Sequence, residues 1–298
     1  MGAISFQPWA FSFSEVITRY LQADHFEFCE LTPGYLGGYN VYADQDVKDV
    51  GFAEVCGCGI YRGMQNRKSV YFSFPFGGGD KAEALRMLAE YCRESSLPMR
   101  FYPVGEAEVA VLKDVLGGEW RTVEHPESAD YVYYAKNLAA PEYIRLVRKM
   151  LRKFEALGPW CARDAVPADI PAMLGLLETW TAARGGTDGA DHDGCRDAVR
   201  GIGLKGTLST VVEQNGRLVA FSIGRHLNPD MLISEFEKSD PQVPGACQAS
   251  NRAFVSRWAG NATFVNLSSD LGNIGLRMAK RKYRPCRMVR KLFAEKVS

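Results

Sequence analysis

The sequence predicts a mixed α+β fold of two successive halves, each with a mixed, mostly antiparallel sheet flanked by helices. The 298 residues are about twice the usual length of one domain. Strand-type and helix-type periodicities alternate along both halves, and Asn215-Gly216 between two apolar segments is typical of a type I′ hairpin. The pattern is interrupted at residues 137–141 without a long linker. We therefore predict domains at residues 1–138 and 139–298.

In the first half, Asp80 followed by Glu83 resembles a capping box, and apolar residues continue at helical spacing to residue 95. The preceding glycines, 77–79, fit a tight turn or an anion site, but no Lys-Ser/Thr follows them as in a nucleotide P-loop. Residues 53–60 are predicted to be a strand. The expected elements are a helix at 13–21, strands at 51–61 and 69–74, a helix at 80–95, a strand at 100–104, a helix at 106–116, and strands at 120–123 and 131–134.

In the second half, Pro141 is predicted to begin an amphipathic helix with apolar residues every three or four positions up to Phe154. Its outer face is cationic and is either solvated or the surface for an anionic partner; the cations concerned include Arg145, Arg148, Lys149 and Arg152. The Gly/Asp-rich stretch around His192 is predicted to be a loop. The other expected elements are strands at 160–162, 207–213, 217–224, 231–237, 263–267 and 286–293, and helices at 170–183, 196–202 and 273–281. A further helix is expected after residue 248 and up to about residue 258.

Charge is distributed unevenly along the chain, although the net charge is only +1. Residues 1–140 carry 12 Lys and Arg against 19 Asp and Glu, whereas residues 141–298 carry 24 against 16. An anionic partner is therefore expected on the second half. The N-terminus lacks the features of a secretory signal, and no apolar run is long enough to span a bilayer, so a cytoplasmic protein is predicted, with at most peripheral membrane contact.

The eight cysteines are dispersed within apolar segments and are predicted to be small buried hydrophobes rather than disulfide partners. Cys56 and Cys58 do not have the spacing of a CxxC zinc or redox motif, and the stretch around His192 does not have that of an EF-hand loop. The sequence therefore predicts no metal site.

Two segments resemble motifs of GNAT acyltransferases. Residues 242–247 resemble the Q/R-x-x-G-x-G/A turn that holds a pyrophosphate at a helix N-terminus, although Cys247 replaces the final small residue and Pro244 removes one amide donor. Residues 273–283 resemble the N-x-x-A…Y helix, whose tyrosine protonates a leaving group. The order of strands and helices around both segments also agrees with that family.

A resemblance over nearly the whole chain comes from residues 71–80, 220–230, 236–240, 248–251 and 264–285, above all the run Asp270-Leu-Gly…Gly-Leu-Arg-x-Ala-Lys…Tyr283-x-Pro. These segments resemble the soluble family related to the C-terminal domain of phosphatidylglycerol lysyltransferases. The resemblance implies two tandem GNAT-like folds. It also implies that the second fold transfers an aminoacyl group from aminoacyl-tRNA to an acceptor.

Acyl transfer needs a base, an acid for the leaving group and cations for a phosphate or carboxylate. Asp270 or Glu235 is predicted to accept the proton, and Tyr283 to return one. Arg277 and Lys280 lie three positions apart, share a helix face and are predicted to bind an anion. The remaining predicted substrate-binding residues are Asn266, Gly272, Glu237, Gln242 and Gly245.

Three functions remain open from the sequence. The first is an aminoacyl-tRNA-dependent aminoacyltransferase with a small-molecule or peptide acceptor. The second is an acyl-CoA-dependent N-acyltransferase, and the third a non-catalytic binding protein of the same fold. Either donor would be a substrate, and no tightly bound cofactor is expected.

Overall fold

The computed structural model describes residues 4–8, 10, 13–36, 51–65, 69–186 and 189–297. Over these ranges the chain forms two seven-stranded sheets, each covered by helices. Most neighbouring strands run antiparallel. The parallel pairs are Ser69–Phe72 with Arg100–Val104, and Met231–Ser239 with Phe264–Asn266. The predicted α+β class and mostly antiparallel pairing are confirmed.

The first half contains the predicted elements in order, except in its first hairpin. It adds short elements that were not predicted, at Gln7–Pro8, Pro33–Tyr35 and Ala135–Ala139. Cys56 and Gly57 have φ of 50° and 74° and turn the chain, so residues 53–60 are not one strand. Asp80 accepts a hydrogen bond from the Glu83 amide and caps the next helix, in agreement with a tight turn at 77–79. The elements are β1 (Gln7–Pro8), α1 (Ser14–Gln22), α2 (Pro33–Tyr35), β2 (Gly51–Val55), β3 (Cys58–Gln65), β4 (Ser69–Phe72), α3 (Lys81–Glu94), β5 (Arg100–Val104), α4 (Glu106–Leu116), β6 (Trp120–Glu124), β7 (Asp130–Tyr134) and α5 (Ala135–Ala139).

The second half differs from prediction at two helix starts. Residues 141–143 form a single 3-10 turn, and the basic helix begins after it. His192 lies within a helix rather than a loop, and its Nε2 is 2.9 Å from Oε1 of Glu178 on the preceding helix. The elements are α6 (Arg145–Glu155), β8 (Trp160–Asp164), α7 (Ile170–Ala183), α8 (Gly189–Arg200), β9 (Leu208–Gln214), β10 (Arg217–Asn228), β11 (Met231–Ser239), α9 (Ala246–Trp258), β12 (Phe264–Asn266), α10 (Ile274–Lys282), β13 (Arg287–Val289) and β14 (Leu292–Lys296).

The two sheets exchange strands. The first has the order β1-β2-β3-β4-β5-β14-β6 and the second β13-β7-β12-β11-β10-β9-β8. Strand β14, near the end of the chain, therefore lies between β5 and β6 of the first half, while β7 of the first half lies in the second sheet. The single strand predicted at 286–293 is consequently wrong, because it is two short strands in different sheets.

The second sheet is covered on both faces. Helices α7 and α8 pack on one face against Val211, Phe221 and Phe236. Helices α6 and α9 pack on the other against Val212 and Ala220. The part of β11 between them is thus accessible only from its edge.

The cysteines differ from their prediction as small buried hydrophobes. Cys29, Cys58, Cys92 and Cys195 are buried, but Cys161, Cys247 and Cys286 are exposed. None of the helices in the described ranges is both long and apolar enough to cross a bilayer.

Candidate active site

The second sheet has a gap where strands β11 and β12 stop pairing. The two strands pair in parallel over three residue pairs, ending at Ile233 and Asn266. Beyond that point β11 continues to Ser239 and is bonded only to β10. Glu237 lies in this unpaired stretch, so its side chain borders the gap between the strands.

Glu237 forms a compact polar cluster with the first turns of α9. Its Oε1 accepts a hydrogen bond from Cys247 Sγ at 2.9 Å, and its Oε2 accepts one from Asn251 Nδ2 at 3.2 Å. Desolvation raises the pKa of Glu237. Glu237 is half-buried and Cys247 is exposed, so the cluster is reachable from solvent. The region beside it, where β11 is no longer paired with β12, is called the cleft below.

Tyr283, which ends α10, reaches the same cleft. Its ring packs against apolar clusters from α6, α9 and β12, and its hydroxyl is buried near the Gln248 side chain. Burial, followed by the charges of Cys247 and Glu237, raises the pKa of Tyr283. The structure therefore brings the predicted residues Tyr283 and Glu237 together.

Glu235, predicted to accept a proton, lies on the opposite face of the sheet. It is the unpaired residue of a β-bulge, since Ile223 pairs with Phe236 and Gly224 with Ser234. Its Oε1 accepts hydrogen bonds from Arg225 Nε at 3.1 Å and from the Gly34 amide at 3.1 Å. The bulge separates Glu235 from the cleft, so the geometry does not support its predicted catalytic role.

Asp270 is held by four hydrogen bonds in the turn after β12. Its carboxylate accepts from Tyr131 Oη at 2.6 Å, from Arg277 Nε and Nη2 at 2.9 and 3.0 Å, and from the Gly272 amide at 2.9 Å. Hydrogen bonding by Arg277 is the main reason that the pKa of Asp270 falls to about 2. Such a carboxylate is a weak base, and its partner Arg277 is no longer free to bind an anion.

Lys280 and Asn266 also stabilise this turn. Lys280 Nζ donates to the carbonyls of Leu267, Ser268 and Ser269, which uses all three ammonium hydrogens. Desolvation lowers the pKa of Lys280 to about 8. Asn266 is buried and donates to the Glu27 carbonyl at 2.8 Å and to Asp130 Oδ2 at 3.0 Å.

The same turn is conformationally strained. Ser268 and Leu271 have φ of 61° and 48°, values that are unfavourable for residues with a Cβ, and Gly272 has φ of 78°. Asp270, Arg277, Lys280, Asn266 and Gly272 therefore act within the protein, as the network that holds this turn. The geometry does not support the predicted substrate contacts of these residues.

The predicted pyrophosphate turn is partly covered. Gly245 has φ of 86°, and a Cβ at this position would lie 2.2 Å from the Met150 carbonyl oxygen of α6. Gln242 is exposed, and its amide donates to Asp240 Oδ1 at 2.9 Å. Gly245 is thus required for the close packing of α6 on α9, which takes up the approach to the N-terminus of α9.

Helix α6 carries an exposed cationic face. Arg145, Arg148, Lys149 and Arg152 are exposed, as is Lys153, and within the described ranges none of them forms an ion pair. Tyr143, just before α6, connects this face to the cleft: its hydroxyl donates to the Tyr283 carbonyl at 3.4 Å, and Arg284 lies over its ring. The cations of α6 thus adjoin the basic end of α10.

Sequence reasoning missed two residues of the cleft. Cys247 was treated only as a departure from the glycine-rich turn, and Asn251 was not given a role. Their spacing of four positions, which places both on one face of α9, was the available signal.

Apart from the cleft, a cluster of possible metal ligands lies between the two halves. Cys29, Glu30 and Asp130 converge there. They surround the Lys291 ammonium, which is 2.6 Å from Asp130 Oδ1 and 2.7 Å from Glu30 Oε1. Lys291 supplies the positive charge that these carboxylates need.

Comparison with solved structures supports the fold. A conserved protein of unknown function from Bacteroides thetaiotaomicron is 22% identical, with a TM-score of 0.87 over 99% of this chain and all of the other. L-PGS from Bacillus licheniformis is 13% identical, with a TM-score of 0.65 over 95% of this chain and 91% of the other. FemX is 10% identical, with a TM-score of 0.62 over 98% and 97% of the two chains.

The sequence itself matches no protein of curated function. It does match the family model described as phosphatidylglycerol lysyltransferase, C-terminal, over residues 40–294, which is most of its length and includes strands β2 to β13 and the residues of the cleft. The chain therefore belongs to the family of phosphatidylglycerol lysyltransferase C-terminal domains.

Proposed function

We propose that the protein is an aminoacyltransferase that takes its aminoacyl group from aminoacyl-tRNA and passes it to an amine or hydroxyl acceptor. The observation that carries this proposal is the Glu237 carboxylate, which lies on β11 beyond its pairing with β12 and accepts hydrogen bonds from Cys247 and Asn251. Tyr283 is near enough for the charge of Glu237 to raise its pKa. Membership of the lysyltransferase family supports aminoacyl transfer as the chemistry. The proposal places the protein in the cytoplasm, where charged tRNA is found.

The roles of the two groups follow from their surroundings. Because desolvation raises the pKa of Glu237, its carboxylate is a stronger base than an ordinary glutamate. No cation among the described residues lies within ion-pair distance of it; Lys280 and Lys238 act on it from further away. Tyr283 keeps its proton because of its raised pKa, and it is the candidate acid for the leaving ribose oxygen.

The cationic face of α6 is the candidate tRNA surface. Exposed cations without an ion pair are available to phosphates, and binding would release counterions from the nucleic acid. The face continues through Tyr143 and Arg284 to Tyr283, so a bound tRNA could place its acylated end at the cleft.

The test is binding of aminoacyl-tRNA by fluorescence anisotropy over a salt series. We expect R148E/R152E to weaken binding at least tenfold at low salt and to reduce the slope of log K against log salt by about two. The matched control is K113E, which reverses an exposed cation on α4. Equal loss of affinity in both variants, or wild-type binding no tighter than that of an unrelated protein, would contradict the proposed surface.

An acyl-CoA-dependent N-acyltransferase is the second candidate, favoured by the turn at residues 242–247 before α9. The close approach of Met150 to Gly245 argues against it, because α6 covers one side of this turn. Calorimetry with millimolar acetyl-CoA tests this candidate, and we expect neither heat nor a thermal shift.

A non-catalytic binding protein is the third candidate. It predicts no acyl transfer with any donor. Transfer that is lost in Y283F or E237Q would exclude it.

A further inference from the structure

We propose that Cys247 is a covalent nucleophile that carries the acyl group as a thioester between donor and acceptor. The proposal rests on the function proposed above and adds a catalytic residue and an intermediate to it. The three side chains concerned, Cys247, Glu237 and Asn251, are called the thiol cluster below.

The geometry of the thiol cluster is that of an activated nucleophile. The Cys247 thiol donates to Glu237 Oε1 at 2.9 Å, within reach for proton transfer. Asn251, one turn further along α9, donates to Glu237 Oε2 at 3.2 Å and orients the carboxylate. A nucleophile, a base in contact with it and a third group that positions the base together form the arrangement used in covalent catalysis.

An unsatisfied polar atom at the cluster provides a second observation. Asn251 is only 5% exposed, yet its Oδ1 has no hydrogen-bond partner among the described residues. Because buried polar atoms are normally hydrogen-bonded, a polar ligand at the cleft would complete it. The α-ammonium group of an aminoacyl ester is a donor that fits Asn251 Oδ1.

The state of the thiol explains why a base is needed. Desolvation by the surrounding protein, followed by the charge of Glu237, raises the pKa of the exposed Cys247, so the resting side chain is a thiol rather than a thiolate. The thiol must therefore lose its proton as it attacks, and Glu237 is the group in contact with it.

The reaction consists of two balanced steps. In the first, Glu237 takes the thiol proton, sulfur attacks the ester carbonyl, the bond from carbon to the ribose oxygen breaks, and that oxygen receives a proton from Tyr283. Protonated Glu237 then restores the Tyr283 proton. In the second step the acceptor N–H or O–H gives its proton to Glu237 and attacks the thioester, the carbon–sulfur bond breaks, and the sulfur regains that proton.

Cys161 provides a matched comparison within the same chain. It is also exposed and also faces a carboxylate, with Sγ 3.8 Å from Glu213 Oε2. Glu213, however, is paired with Arg163, so it is less available as a base. Exposure alone would make Cys161 and Cys247 equally reactive, whereas the thiol cluster predicts a difference.

The first experiment needs no tRNA. The full-length protein is mixed with p-nitrophenyl acetate, and acyl adducts are located by intact-mass and peptide mass spectrometry. We expect one hydroxylamine-labile acetyl group on Cys247 and a burst of p-nitrophenol that is lost in C247A, unchanged in C161A and slowed about a hundredfold or more in E237Q. Acylation of Cys161 as fast as Cys247, or equal rates in wild type and E237Q, would overturn the proposal.

The second experiment separates the thioester from the choice of donor. The protein is incubated with aminoacyl-tRNA bearing a radiolabelled amino acid, then precipitated and treated with hydroxylamine. Label on wild type but not on C247A supports the covalent step. Full transfer activity in C247A contradicts it, even if the aminoacyltransferase function is correct. Selective acylation of Cys247 by the ester without any use of aminoacyl-tRNA would retain the nucleophile and exclude the proposed donor.

Discussion

At the scale of single residues, the chemistry of a carboxylate depends on what surrounds it. Asp270, Glu235 and Glu237 are all acidic residues in or beside one sheet, but Asp270 is saturated by hydrogen bonds and Glu235 is paired with Arg225. The Glu237 carboxylate accepts hydrogen bonds from a thiol and an amide, and no cation in the described part of the chain forms an ion pair with it. Of the three, Glu237 is therefore the carboxylate best able to accept a proton.

Asp270 should contribute to stability in a pH-dependent way. Its pKa is lowered from 3.8 to about 2 in the folded state, so it stabilises the fold by about 2 kcal/mol above pH 3.8, and this contribution is lost as the pH falls through 2. We expect D270N to lose that amount of unfolding free energy at pH 7 and less at pH 3, as measured by urea denaturation. The control is D114N at an exposed site on α4. A loss in D270N that does not decrease on acidification would contradict the assignment.

Lys291 should matter more for stability than other lysines. Its ammonium is fully buried between Asp130 and Glu30, and removing it leaves two carboxylates without a cation. We expect K291M to destabilise the protein by about 3–5 kcal/mol, and K113M to change its stability by less than about 0.5 kcal/mol. Urea unfolding at pH 7 measures both. A loss below 1 kcal/mol in K291M would indicate that the carboxylates are neutral in the wild type.

At the scale of elements, α6 and α9 decide which donor can approach the cleft. The amphipathic pattern of α6 predicted its buried stripe, but its contact with Gly245 follows from tertiary packing. A turn that resembles a pyrophosphate site in sequence is thereby partly covered by a neighbouring helix.

Gly245 tests this packing. G245A would introduce strain at φ of 86° and a clash 2.2 Å from the Met150 carbonyl, and we expect a loss of at least about 3 kcal/mol. G216A is the matched control, because Gly216 has φ of 74° and nothing within 4 Å of its added Cβ. It should cost only about 1 kcal/mol for the backbone strain. Equal losses measured by thermal or urea unfolding would mean that α6 does not constrain Gly245.

At the scale of the whole molecule, the exchanged strands join the two halves into one folding unit. The boundary between residues 138 and 139 stays a prediction, but β7 and β14 each pair across it. The buried cluster of Lys291, Asp130 and Glu30 lies where the exchanged segments meet.

We therefore expect neither half to fold alone. A chain that ends at Arg290 lacks β14, so β5 and β6 lose the strand between them; it should show no cooperative thermal transition by circular dichroism. A chain that ends at Lys296 keeps β14 and serves as the control. Residues 1–138 produced alone and unfolding cooperatively would contradict the single folding unit.

The sequence by itself determined the α+β class, most helices and strands, the cationic face of α6 and the family. These follow from local periodicity, turn chemistry and residue identity, which need no knowledge of distant contacts. Only the tertiary structure decided that β14 joins the first sheet, that Glu235 turns away from the cleft and that Glu237 meets Cys247. Strand partners that are far apart in the chain leave no periodic signal in a sequence. Neither does a β-bulge, although its single extra residue changes the face of the sheet to which the side chains point.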